Sequence, residues 1–135
     1  MMTGRCLCGS VQFTAAKVET DHHACHCGMC RRWSSGGGFF GAHAHEVTFT
    51  QSATLAVYES SDWATRGFCN ACGTPLYYFL KPTQAYIVSV GTFDDPTPFK
   101  LVREIFIDRK PPGFDFVGGH ERWTEQETFE RLTPP

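Results

Sequence analysis

Apolar and polar residues alternate along much of this 135-residue chain, with a period of two. In SVQFTA (residues 10–15), Val11, Phe13 and Ala15 share one face and Gln12 and Thr14 the other, the pattern of a half-buried strand. The stretches FFGAHAHEVTFT (39–50), TLAVYE (54–59), PLYYFL (75–80) and AYIVSV (85–90) are rich in β-branched and aromatic residues, which suit a pleated surface. KLVREIFID (100–108) fits either a strand or a helix, and its Val, Ile and Phe favour the strand. Gly36 to Gly38, Pro82 and the pair Pro96 and Pro98 punctuate these runs. One helix signal stands near the end: in TEQETFERL, Thr124 and Glu127 have capping-box spacing, so each side chain can satisfy the other's backbone donor. With no internal repeat, low-complexity run or linker, residues 1–135 are expected to form a single, mainly β domain with a short C-terminal helix.

Composition supports a packed core: 41% of residues are hydrophobic and twelve are Phe. No apolar run approaches the roughly 18 residues of a membrane span. The opening MMTGRCLCGS has no basic segment followed by an apolar one, so a soluble, cytoplasmic protein is expected, with no membrane partner. A formal net charge of −2 without a long basic run argues against nucleic acid as a partner.

Seven cysteines change the picture. An odd number without a secretory signal suits a disulfide framework badly, whereas the spacing suits metal. CLCG (Cys6, Cys8) and CNACG (Cys69, Cys72) are two knuckles, each with a glycine after its second cysteine to admit the positive φ of a tight turn. Joined, they make one closed four-thiolate site that pins the N-terminus to the middle of the chain. Zinc is the first expectation for such a set, and iron also accepts four thiolates.

Cys25, Cys27 and Cys30 remain, in HHACHCGMCRRW. Three protein ligands plus an exchangeable fourth position make a catalytic zinc site. A histidine could instead close it: His22, His23 and His26 are local, and His43, His45 and His120 are distant candidates. His26 lies between two ligating cysteines, which points its side chain away from a shared ion. Metal-free thiols, with Cys27 and Cys30 cycling as a redox pair, are a further alternative.

Taken together, GRCLCGSVQF, CHCGMCRRWS, GFCNACGTPLYY and VGTFDDP resemble the glutathione-dependent formaldehyde-activating enzyme (GFA) family, whose domain also occurs in centromere protein V. The matching blocks run in the family's order from residue 4 to about residue 96. The resemblance implies an Mss4-like fold of several coiled antiparallel β-sheets around zinc. It implies two zinc ions: a structural one on Cys6, Cys8, Cys69 and Cys72, and a labile, catalytic one on Cys25, Cys27 and Cys30. It implies carbon–sulfur lyase or aldehyde-activating chemistry on S-hydroxymethylglutathione-like adducts, with glutathione as co-substrate and a small thiol and aldehyde as partners. Where relatives often carry a His-Ile pair in the last strand, this chain has Glu104 and Ile105.

Three thiolates already outweigh the charge of one divalent ion, so a bound thiol, with an ordinary pKa of about 8.5, ionises more readily there than water. The carboxylates of glutathione need cations, and Arg31 and Arg32 stand directly behind the last ligand, with Trp33 as a possible pocket wall. His43 and His45 alternate with alanines and should share one strand face, where one of them could shuttle a proton. The competing function is a non-catalytic zinc-binding interaction module.

Overall fold

The computed structural model describes residues 1–132. Ten strands form one sheet: β1 (Met2–Arg5), β2 (Gln12–Val18), β3 (Asp21–Cys25), β4 (Phe39–Gln51), β5 (Leu55–Glu59), β6 (Ala64–Cys69), β7 (Pro75–Leu80), β8 (Ala85–Ser89), β9 (Lys100–Ile105) and β10 (Glu121–Arg122). Two helices complete it, α1 (Gly28–Ser34) and α2 (Glu125–Arg131). The protein is mainly β with a short C-terminal helix, as the alternating pattern predicts. No helix among the described residues is long and apolar enough to cross a membrane.

Neighbours in the sheet run β10-β9-β3-β4-β8-β7-β6-β5, with β2 also on β4 and β1 on β2. The 13-residue β4 makes this branching possible. Its first residues pair with β3, its later ones with β2, and Gly41 to Ala44 pair with β8. Most pairings are antiparallel, but β3–β9 and β9–β10 are parallel. Residues 100–108, open between strand and helix in the sequence, form β9 and then a 3₁₀ turn.

The core collects the inward residues of β2, β4, β7 and β8: Phe13, Ala15, Ala42, Ala44, Leu76, Tyr77 and Val88. Phe93 closes it, meeting Phe13 edge to face at a centroid distance of 5.4 Å. Cys6 and Cys69 belong to the same buried cluster, so the metal-type knuckles are anchored in the core.

Helix α2 begins as its residues require: Thr124 accepts from the Glu127 amide, and the Glu127 carboxylate accepts from the Thr124 amide. Helix α1 is an element the strand pattern does not predict. Its N-cap is Cys27, whose sulfur accepts from the Cys30 amide at 3.3 Å, and it stops where Ser35 and the glycines after it take positive φ.

Candidate metal centres

The two knuckles are built alike. Gly9 and Gly73 both have φ of +81°, and their amides donate back to the Cys6 carbonyl at 3.1 Å and the Cys69 carbonyl at 2.7 Å. Each turn therefore aims two sulfurs at one point, and the sheet brings the two points together. The Cys8 sulfur lies 3.6 Å from that of Cys6 and 3.8 Å from that of Cys69. Four sulfurs at tetrahedral zinc, each about 2.3 Å from the ion, are about 3.8 Å apart. Cys6, Cys8, Cys69 and Cys72 thus offer a donor set whose spacing suits zinc. Hydroxyls prepare the sulfurs for it. Hydrogen bonds from Thr54 and then Ser10 hold the Cys69 thiol at about 5 despite its desolvation, and Thr74 holds Cys72 at about 7.

Cys25 at the end of β3, Cys27 at the cap of α1 and Cys30 in its first turn form the second cluster, with their sulfurs within 4.8 Å of one another. Cys25 and Cys27 are half-buried and Cys30 is buried. Hydrogen bonds from the Cys25 and Cys30 thiols pull Cys27 down to about 2. Against its own bond with Cys25, the neighbouring Cys27 charge and burial push Cys30 up to about 11. Without an ion the three sulfurs share one negative charge. A divalent cation removes the reason for holding the other two protons, and soft sulfur donors suit zinc here as well.

Among the described residues, no histidine or carboxylate oxygen joins these three sulfurs. The local histidines are engaged elsewhere. The His22 ring packs between Phe40 and Phe99. His23 Nε2 accepts from Arg103 Nη1 at 2.7 Å. His26, between Cys25 and Cys27, donates from Nε2 to Glu104 at 2.7 Å. Glu104 is 1% exposed and also receives His120 Nε2 at 2.6 Å and Arg122 Nε at 3.2 Å. Glu104 is thus the centre of a buried histidine–carboxylate–histidine bridge that ties down the residue between Cys25 and Cys27.

The guanidinium on the cluster belongs to Arg66 of β6. It is 3% exposed and donates through Nη1 and Nη2 to the Cys30 sulfur at 3.6 and 3.5 Å. The rings of Trp33 and Tyr78 hold it at 5.1 and 5.0 Å from their centroids. Arg66 Nε and the Tyr78 hydroxyl are buried without a hydrogen-bond partner. Burial raises the Tyr78 pKa to about 12, so this hydroxyl is protonated and available as a donor at neutral pH. Sequence reasoning passed over Arg66, although its place two residues from Ala64 and two from Phe68 puts a charge on a strand's apolar face. Arg31 and Arg32 lie on α1, where Arg32 is exposed and bonds the Gly28 carbonyl at 3.4 Å. Trp33 packs on Phe39 and, with Val57, Tyr58, Phe68, Gly73 and Pro75, lines an open apolar groove of about 440 Å³.

Two thiol clusters on a branched β-sheet, one of four sulfurs and one of three, define the class, a mainly β protein with two donor sets suited to metal. Residues 1–109 match the family described as glutathione-dependent formaldehyde-activating enzyme, and the chain belongs to that family. It is 27% identical over 130 residues to an uncharacterised lyase of Schizosaccharomyces pombe, spanning 96% of this chain and 95% of the relative. A crystal structure of a Rhodobacter sphaeroides protein shares the fold at a TM-score of 0.58 and 22% identity, covering 91% of this chain and 100% of the other.

Proposed function

We propose that the chain is a zinc-dependent carbon–sulfur lyase that forms and cleaves adducts between a glutathione-type thiol and an aldehyde, of the S-hydroxymethylglutathione kind. The observation that carries this reading is the environment of Cys25, Cys27 and Cys30: three converging sulfurs, local histidines bonded elsewhere, and a buried cation aimed at one sulfur. Family membership and the lyase relative support the reaction class.

Cys25, Cys27 and Cys30 would hold the exchangeable ion, and Cys6, Cys8, Cys69 and Cys72 the ion that ties the fold together. Zinc held by Cys25, Cys27 and Cys30 would supply the Lewis acidity that lets an incoming thiol ionise near neutral pH. Arg66 offsets the excess negative charge that three thiolates and a substrate sulfur bring together, in a place where water cannot screen it. Trp33 and Tyr78 keep its guanidinium in position.

The Tyr78 hydroxyl, protonated and unpartnered, would donate to the aldehyde oxygen. In the forward direction the sulfur lone pair forms the new carbon–sulfur bond, the carbonyl π bond opens onto oxygen, and the thiol's proton is balanced by one gained at oxygen. In reverse the hydroxyl loses that proton, the carbonyl re-forms and the carbon–sulfur pair returns to sulfur. The apolar groove beside Trp33 has the volume of a small-ligand site, and Arg31 and Arg32 would receive the thiol's carboxylates.

Cobalt-substituted protein titrated with glutathione tests the binding half: the sulfur-to-cobalt absorption is expected to shift and saturate. Formaldehyde release from S-hydroxymethylglutathione tests turnover, with loss expected in Cys27→Ser. An unchanged spectrum up to millimolar thiol, with no release above the spontaneous rate, would leave a zinc-binding interaction module instead.

A further inference from the structure

The geometry points to a third metal site, made of nitrogen and oxygen donors rather than sulfur, in which Glu19, His43 and His45 hold a divalent first-row transition ion facing solvent. It goes beyond the lyase reading and shares no residue with either thiol cluster. Alternation along β4 starts the argument. Ala42 and Ala44 are buried at 0% and 3% exposure, so His43 and His45 both point outward from the same strand. Their rings stack at a centroid distance of 4.2 Å. Glu19 follows β2, and its amide donates to the His43 carbonyl at 2.9 Å, which locks the third residue beside the other two.

A single carboxylate oxygen then serves both rings. Glu19 Oε2 lies 2.9 Å from His43 Nδ1 and 2.9 Å from His45 Nε2. The three ligand atoms all lie within 4.8 Å of one another. At metal–ligand distances of about 2.1 Å, two donors at right angles on one ion are separated by about 2.9 to 3.0 Å, and two tetrahedral donors by about 3.4 Å. The two oxygen–nitrogen separations therefore match a carboxylate oxygen cis to each imidazole on an octahedral ion, and a tetrahedral ion needs an opening of about 0.5 Å.

Donor chemistry selects the ion. Two imidazoles and one carboxylate favour nickel, cobalt, iron, copper or zinc over calcium and magnesium, which take all-oxygen sets. The side chains of His43, His45 and Glu19 are 38%, 41% and 50% exposed, which leaves the remaining coordination positions to water. The protonation states are suitable. Burial lowers the His43 pKa and leaves the ring neutral at pH 7, while the His45 hydrogen bond keeps the Glu19 carboxylate ionised. On binding, each ring's proton moves to its other nitrogen or to water. Lys17 sits directly opposite His45 in the β2–β4 register, and its charge weakens the site.

The test uses protein loaded with two equivalents of zinc and freed of excess, so that the thiol clusters are filled and the third site is left open, titrated with nickel and followed by amide NMR. Paramagnetic broadening is expected to start at residues 17–19 and 43–45. His43→Asn combined with His45→Gln should raise the nickel concentration required at least tenfold, and Lys17→Gln should lower it two- to threefold. All three are surface positions, and zinc content serves as the check on folding. Equal broadening in wild type and the double variant, broadening centred on residues 6–8, 25–30 or 69–72, or the same shifts with magnesium would each overturn the site.

Discussion

Arg66 brings a positive charge to a place that solvent does not reach, and the Cys30 sulfur is the acceptor it has. On the proposed function, loss of that charge should be felt first by an ion held at the three-cysteine cluster. We expect Arg66→Gln to weaken zinc there by about tenfold, roughly the worth of one charge-assisted hydrogen bond, with Arg66→Lys intermediate and the four-cysteine site unmoved. Chelator competition that resolves the two ions measures it. Glu104 has the opposite charge and the same burial, and two imidazoles and Arg122 surround it. Glu104→Gln keeps the shape and removes the charge, and should cost about 3 kcal/mol in denaturant unfolding because it leaves buried donors without their acceptor. His23 sets a pH dependence. Burial and then the Arg103 charge lower its pKa to about 4, so the fold keeps it neutral while an unfolded chain protonates it near pH 6.5. The unfolded state therefore binds more protons between those values, and stability should fall as pH drops from about 6.5 to about 4. Acid also releases metal from thiolates, so the measurement is the difference in slope of the urea midpoint against pH: shallower in His23→Asn than in wild type.

At the scale of elements, what could be read depended on whether the signal was local. Thr124 and Glu127 announce α2 because a capping box is complete within four residues, and the structure contains both of its hydrogen bonds. Thr124→Ala should cost about 1 kcal/mol, measured by thermal or denaturant unfolding. Helix α1 was hidden because its cap is a cysteine, a residue read for its metal chemistry and not for its ability to accept an amide hydrogen bond. The segment KLVREIFID has no turn to mark its direction, and its pairing with β3 and β10 makes it a parallel strand. In β6, Gly67 is needed because a Cβ there would collide with the Tyr77 ring on β7. Gly67→Ala should cost about 2 kcal/mol and, by shifting the neighbouring Arg66, lower zinc retention at the three-cysteine cluster more than at the other.

Across the whole molecule, the four-cysteine centre closes a long loop: Cys8 and Cys69 are 61 positions apart and their sulfurs 3.8 Å apart. It joins the turn between β1 and β2 to the turn between β6 and β7, with Cys6 and Cys69 inside the core. Cys8→Ser or Cys72→Ser should therefore lower the melting temperature by more than about 10 °C, whereas Cys27→Ser should lose its ion with a much smaller shift, as calorimetry with metal analysis would show. The sequence alone determined which cysteines form knuckles, which segments alternate and where the last helix begins. Those properties depend on residues within one turn of each other, where bond geometry leaves few choices. Only the tertiary structure decided that Arg66 faces Cys30, that Glu104 lies between His26 and His120, and that Glu19 meets His43 and His45. These are meetings of polar side chains from segments far apart in the chain, and a change of register by one residue in β6, β9 or β4 would turn Arg66, Glu104, or His43 and His45 to the other face of the sheet.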